Sequence, residues 1–241
     1  MTQHYLHMAI LSPEQIGSIP STNVIQMAGT LPIVTVLICY FLAVSLGHVP
    51  AFFPMISDLD TNPPEYYVFR IGFLFSSLLL LFCEWQLKCL YANVFREFDK
   101  TRAVAYAVSC VSALFLALLT SISEDEFYDL HLFCAFAFFV LVFAYFVMML
   151  YVESGGAKDD SECKPMSKFK IENYELRLGV VIFEVLAFIA FAVFRIINYY
   201  PGFAICEWLA VLAVIVWHSS FYTTFRNNHI YLVLSELTDL E

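Results

Sequence analysis

Residues 130–152 read LHLFCAFAFFVLVFAYFVMMLYV, a run of 23 residues without one Asp, Glu, Lys or Arg. A helix rising about 1.5 Å per residue crosses a hydrocarbon core of about 30 Å with about 20 apolar residues, and this run exceeds that length. Working outward, five more windows meet the same condition. The six run approximately Val24–Leu46, Val68–Leu90, Ala103–Ile122, Leu130–Val152, Leu178–Ile197 and Gly202–Phe225, with Gly29 and Pro32 interrupting the first. Hydrophobic residues make up 61% of the 241 and charged residues 14%, whereas a soluble domain carries about 25% charged. The expected fold is an all-α polytopic integral membrane protein of six transmembrane helices. Residues 1–23 form an N-terminal segment, 24–225 the membrane domain and 226–241 a tail, which leaves no room for a separate soluble domain. The N-terminus has neither a basic n-region nor a small-residue cleavage site, so no cleaved signal peptide is expected.

Charge sets the orientation. The connection after the second span, YANVFREFDKTR, and that after the fourth, ESGGAKDDSECKPMSKFKIENYE, hold ten of the twelve basic residues once Lys88, Arg177 and Arg226 at adjoining helix ends are counted. The opposite loops, GHVPAFFPMISDLDTNPPEYY, SEDEFYD and NYYP, hold none. Basic loops stay in the cytosol, so both termini are expected there. The net charge of -10 and the absence of a basic stripe exclude nucleic acid as a partner. Seven cysteines include no CxxC pair and imply no disulfide framework.

The two remaining cations, Arg70 and Arg195, sit just inside the non-cytosolic ends of the second and fifth spans. Glu207 enters the sixth span near the same surface, and Glu84, Glu184 and His218 lie deeper. A charge at the centre of a span costs roughly 2.5–3.5 kcal/mol on insertion scales and persists with a partner or a role. Arg70 and Glu84 are 14 residues apart, Glu184 and Arg195 are 11, and Glu207 and His218 are 11. At about 100° per residue each pair returns to one face, separated by roughly 16–21 Å. Spans two, five and six are therefore expected to carry polar stripes facing one another around a polar cavity, with Glu84 and Glu184 as its buried stations. The plainer alternative is that the arginines snorkel to the headgroups and the deep groups only fix helix packing.

In the first non-cytosolic loop, Asp58, Asp60 and Glu65 are weak candidates for hard oxygen ligands to a divalent cation. In the second, Ser123 and Glu126 read as a capping box for the fourth helix, and Glu124 and Asp125 complete an acidic cluster before His131. There is no GxSxG elbow, HExxH motif or Gly-rich phosphate loop, and nothing calls for a cofactor or a resident metal. The catalytic residues, if there are any, are unknown; His131, Glu207 and His218 are the candidates for acid–base work.

The loop FPMISDLDTNPPEYYVFR resembles the Frag/DRAM/Sfk family of six-span membrane proteins, whose members carry an I-S-D-x-x-x-x-P-P-E type loop before the second helix. LTSISEDEFYDLH, the AVFR ending at Arg195, and CEWLAVLAVIVWH, with Glu207 eleven residues before His218, are similar to the branch of post-GPI-attachment to proteins factor 2. The likeness covers roughly residues 53–225. It implies a role in remodelling the fatty acids of glycosylphosphatidylinositol (GPI) anchors and in surface display of anchored proteins, in the Golgi apparatus and/or endoplasmic reticulum membrane. The partners it implies are membrane lipids, GPI-lipid first, and a remodelling enzyme in the membrane. On this reading Arg70 and Arg195, with Glu124 and Asp125 nearby, hold the lipid headgroup, since guanidinium forks suit phosphate oxygens. Three other classes stay open. One is an intramembrane lipid hydrolase or acyltransferase, and one is a transporter built on the polar stripes. The third, kept open by the ISDLDTNPPE loop, is a DRAM-like lysosomal or plasma-membrane regulator of autophagy or signalling lipids.

Overall fold

A computed structural model of the chain describes residues 18–95, 98–158, 173–226 and 229–231. The expected N-terminal segment, the tail and the connection after the fourth span fall largely outside the described residues. Six helices follow one another: α1 (Ser21–Leu46), α2 (Glu65–Val94), α3 (Asp99–Leu119), α4 (Tyr128–Lys158), α5 (Tyr174–Ile196) and α6 (Tyr200–Ser219). Each is long and apolar enough to cross a membrane. The sixth expected span is shortened, because after Ser219 the chain turns repeatedly through residues 220–226 rather than continuing as helix. A short strand, β1 (Ser18–Pro20), pairs antiparallel with β2 (His229–Tyr231), in the register Ser18↔Tyr231.

The helices make a closed circuit. Each packs against the next in sequence, and α6 returns to α1. Without a hydrophobic drive between helices in lipid, close backbone approach carries much of this packing. A Cβ on Gly72 of α2 would overlap the Thr35 side chain of α1, and a Cβ on Gly29 of α1 would press on Ser219 Oγ at the end of α6. The outward faces carry large apolar side chains such as Phe41, Phe75, Phe136 and Leu186, as a lipid solvent requires. Pro32 sits inside α1, and the helix closes at Gly47, whose left-handed φ of 77° a side chain would strain.

A buried polar network fastens the circuit at one end. Near the basic end of the helices, Arg177 of α5 and Glu153 of α4 are fully buried and meet at 3.0 Å. Tyr91 of α2 donates to the same carboxylate at 2.7 Å, and Arg177 also donates to Ser220 Oγ at 3.3 Å while its guanidinium lies over the Phe221 ring. The sequence marks Arg177 as a basic residue at a helix end; the structure makes it the centre of a knot joining four segments. At the opposite end, the loop between α1 and α2, the α3–α4 turn and the α5–α6 link lie together, which up-and-down connectivity requires.

The candidate polar cavity and its roof

The first loop is pinned onto α6. Glu207 accepts hydrogen bonds from the backbone amides of Ile56 at 2.7 Å and Ser57 at 3.3 Å, at the start of a single 3-10 turn, Ser57–Asp60. Amides at a helix start have no internal acceptors, so a carboxylate is well placed there. One residue on, the Trp208 indole N–H donates to Pro54 O at 2.8 Å. Tyr200 accepts from the Met55 amide at 3.2 Å and donates to Asp58. The loop so held roofs a central cavity lined from α1, α2, α3, α4 and α6, with about 800 Å³ of unfilled space counting its open side. Its shaft is apolar, with Phe69, Phe73, Leu116, Phe138 and Val211 among its walls. Most polar groups stand at the two ends, Ser57, Thr120, His131 and Glu207 under the roof and His218 at the floor, with Ser76 between them on the shaft.

The three acid–base candidates differ in what they leave free. Both carboxylate oxygens of Glu207 hold loop amides. His218 Nδ1 lies 2.8 Å from Val214 O, so that nitrogen carries the hydrogen; its Nε2 lies 2.8 Å from Glu84 Oε1, a contact that needs one shared proton. His218 is therefore engaged at both nitrogens. His131 Nδ1 donates to Ile122 O at 2.7 Å, which fixes its tautomer and leaves Nε2 without a partner among the described residues. Elsewhere on the cavity lining, the buried Ser57 Oγ also has none among the described residues.

The stripes on α2 and α6 do meet, through Glu84 and His218, but the stripe on α5 does not join them. Glu184 is fully buried, neither of its oxygens has a partner among the described residues, and α5 contributes no residue to the cavity. Nor do the two arginines converge. Arg70 Nε is 3.3 Å from Asp60 Oδ1 and its guanidinium covers the Tyr66 ring at 4.4 Å. Arg195 is exposed, donates to Tyr128 OH at 2.8 Å and lies over Phe203. Asp125 is exposed, and Glu124 buries one oxygen without a partner among the described residues. The spacing rule fixes which face of a helix a residue occupies and not which neighbour that face meets, so α5 was misplaced.

The carboxylates of the first loop and of the first residue of α2 go to three separate partners: Asp58 to Tyr200, Asp60 to Arg70, and Glu65 to His48 Nδ1 at 2.5 Å. They do not gather as a metal site, and no group of three His, Cys, Asp or Glu does so among the described residues. The expected capping box is not formed either. The fourth helix starts at Tyr128, and Ser123 Oγ instead donates to Asp60 O at 3.2 Å, tying the second loop to the first.

Asp60 is fully buried, and burial pushes its carboxyl up to about 7 against the lowering pull of Arg70, with Glu126 raising it further. A folded value above the unfolded one of about 3.9 means that its contribution to stability is complete at acid pH and is lost as pH rises towards about 7. Asp60→Asn, which cannot ionise, is expected to flatten that part of the profile. Melting temperature of purified protein measured from acid to neutral pH checks this, and identical slopes for the two proteins would refute it.

A family model described as Frag1/DRAM/Sfk1/Cwh43P N-terminal domain matches residues 21–228. The chain is 28% identical over 251 residues to "Post-GPI attachment to proteins factor 2" of Caenorhabditis briggsae, covering 93% of each chain. It is 27% identical over 248 residues to the protein of the same name in Caenorhabditis elegans, covering 92% of each. No solved structure matches it significantly. With the family model spanning all six helices and the pinned loop, this chain belongs to the Frag1/DRAM/Sfk1 family.

Proposed function

We propose that this chain is a lipid-handling factor in the remodelling of GPI anchors. It works in the Golgi apparatus and/or endoplasmic reticulum membrane, with both termini in the cytosol and the roofed end in the lumen, and supports transport and surface display of anchored proteins. The observation that carries the reading is the cavity, an apolar shaft topped by the unpartnered groups of His131 and Ser57. Such a space suits hydrocarbon below and an ester or headgroup oxygen above. GPI headgroups lie in the lumenal leaflet, on the side where the charge bias places the roof. The likeness to two proteins named for a step after GPI attachment supplies the substrate class. The role favoured is accessory: the chain receives the lipid and presents it to a remodelling enzyme.

A direct test fills the shaft. Ala135 lines the cavity on α4, and Ala135→Phe is expected to reduce lipid recovered with the purified protein several-fold, read by mass spectrometry of the extract. Equal recovery from wild type and variant would remove the cavity as the lipid site.

Arg195 is the remaining candidate for the headgroup phosphate, because it is exposed while Arg70 is committed to Asp60. Arg195→Ala is expected to change stability by no more than about 0.5 kcal/mol, as at other surface positions, yet to lower surface display of anchored proteins. Arg70→Ala lowers the melting temperature as well, because it strands buried Asp60. Normal display with Arg195→Ala would remove the headgroup contact.

One observation favours a catalytic reading instead: His131 keeps a free, tautomer-fixed Nε2 in the cavity, as a general base needs. Turnover of a labelled lipid by pure protein, lost in His131→Ala, would make the chain an enzyme.

A further inference from the structure

The cavity ends on a pair of groups that cannot give way. Glu207 under the roof and His218 at the floor are eleven residues apart on α6, a shaft of roughly 16 Å at the helical rise of about 1.5 Å per residue. Phe69 and Leu80 on α2 line it over the same interval. A water-sized group can place its centre in only about 80 Å³ of the space. Drawn out over that length, the slot has the section of one hydrocarbon chain rather than two.

At the floor stand His218, Leu80 and Ala28. His218 is locked from both sides, by Val214 O on its own helix and by Glu84 on α2. A floor of leucine or methionine alone would yield to a longer ligand by changing rotamer. This pair does not, because swinging His218 aside leaves Glu84 and the imidazole unpaired in an apolar interior, at a heavy cost. Beyond it lies a second small pocket, bordered by Ala113, Phe138, Val142 and Tyr145, which the pair closes off from the shaft.

We infer that the cavity takes a single acyl chain, methyl end down, and that Glu84 and His218 form the stop that sets its length. This rests on the lipid-handling reading. A C–C bond of about 1.5 Å advances a chain roughly 1.25 Å at tetrahedral geometry, so the shaft takes about a dozen methylenes. A longer chain lifts its head away from Ser57 and His131.

The test uses the purified full chain in detergent and lysophosphatidylcholines with saturated chains of about eight to about twenty carbons. Lipid retained after gel filtration is measured by mass spectrometry. Retention is expected to peak near the length of the shaft and to fall at least about tenfold for the longest chains. Replacing both partners, Glu84→Leu with His218→Ala, strands no charge, lowers the floor, and moves the peak to chains longer by roughly three carbons. Ala28→Leu raises the floor and moves the peak to shorter chains. Should the double variant fail to fold, Ala28→Leu decides, and an unmoved peak overturns the stop. Equal retention of all lengths by the wild type overturns the stop and leaves lipid handling intact. No retention of any length overturns both.

Discussion

Glu207→Ala is expected to release the first loop from α6 and to cost roughly 3–6 kcal/mol, from two hydrogen bonds to a carboxylate worth about 1.5–3 kcal/mol each. The loss falls on one place. Ile56 and Ser57 have their amides on Glu207, and neighbouring anchors at Trp208 and Tyr200 hold Pro54, Met55 and Asp58. Against a whole-protein stability of about 5–15 kcal/mol this is a large fraction. Glu207→Gln keeps one acceptor oxygen for one amide but turns an NH₂ donor towards the other, so it should fall between wild type and alanine. Thermal unfolding in detergent, together with protease cleavage between residues 51 and 64, reads both effects. A Glu207→Ala protein with an unchanged melting temperature and an intact loop would show that the carboxylate does not hold the roof.

The second large effect lies at the other end of the bundle. Arg177→Ala leaves Glu153 as an uncompensated buried charge, and breaking such a pair from one side costs about 3–5 kcal/mol. The network joins α2 through Tyr91, α4 through Glu153, α5 through Arg177 and the turn after α6 through Ser220. Arg177→Met together with Glu153→Gln removes both charges, keeps an acceptor for Tyr91, and should recover much of the loss. A double-mutant cycle on the melting temperature gives the coupling between the two residues. Additive losses would mean that Arg177 acts by packing on Phe221 rather than by pairing.

These two sites show what a sequence can reveal about a membrane protein and what it cannot. The six helices were legible because length and charge depletion alone define a span, and residues 130–152 satisfy both outright. Glu84 and His218 were legible as deep polar stations because ionisable groups are rare at that depth. That they bond each other was not, since 134 residues separate them and periodicity does not name the neighbour. Glu207 was marked as a chemical candidate, yet it serves the roof. The signal for that role was the run of a proline-bounded loop with its own free amides, opposite an acid near a helix start. Arg177 was hidden by the charge rule itself, which counts a cation at a basic end without asking whether it reaches water. Ser57, which like His131 lines the cavity, gave no signal at all, because a serine in a polar loop looks the same whether or not it faces a cavity.

The central claim is that the cavity handles the lipid of GPI anchors, and one measurement addresses it most directly. In cells lacking this protein, GPI-anchored proteins are counted at the surface and their anchor acyl chains are identified by mass spectrometry. The account predicts reduced display and altered chains, both restored by wild type and by neither Ala135→Phe nor Arg195→Ala. Unchanged display with unchanged chains would contradict it, and would direct attention to the autophagy and signalling-lipid readings of the same fold.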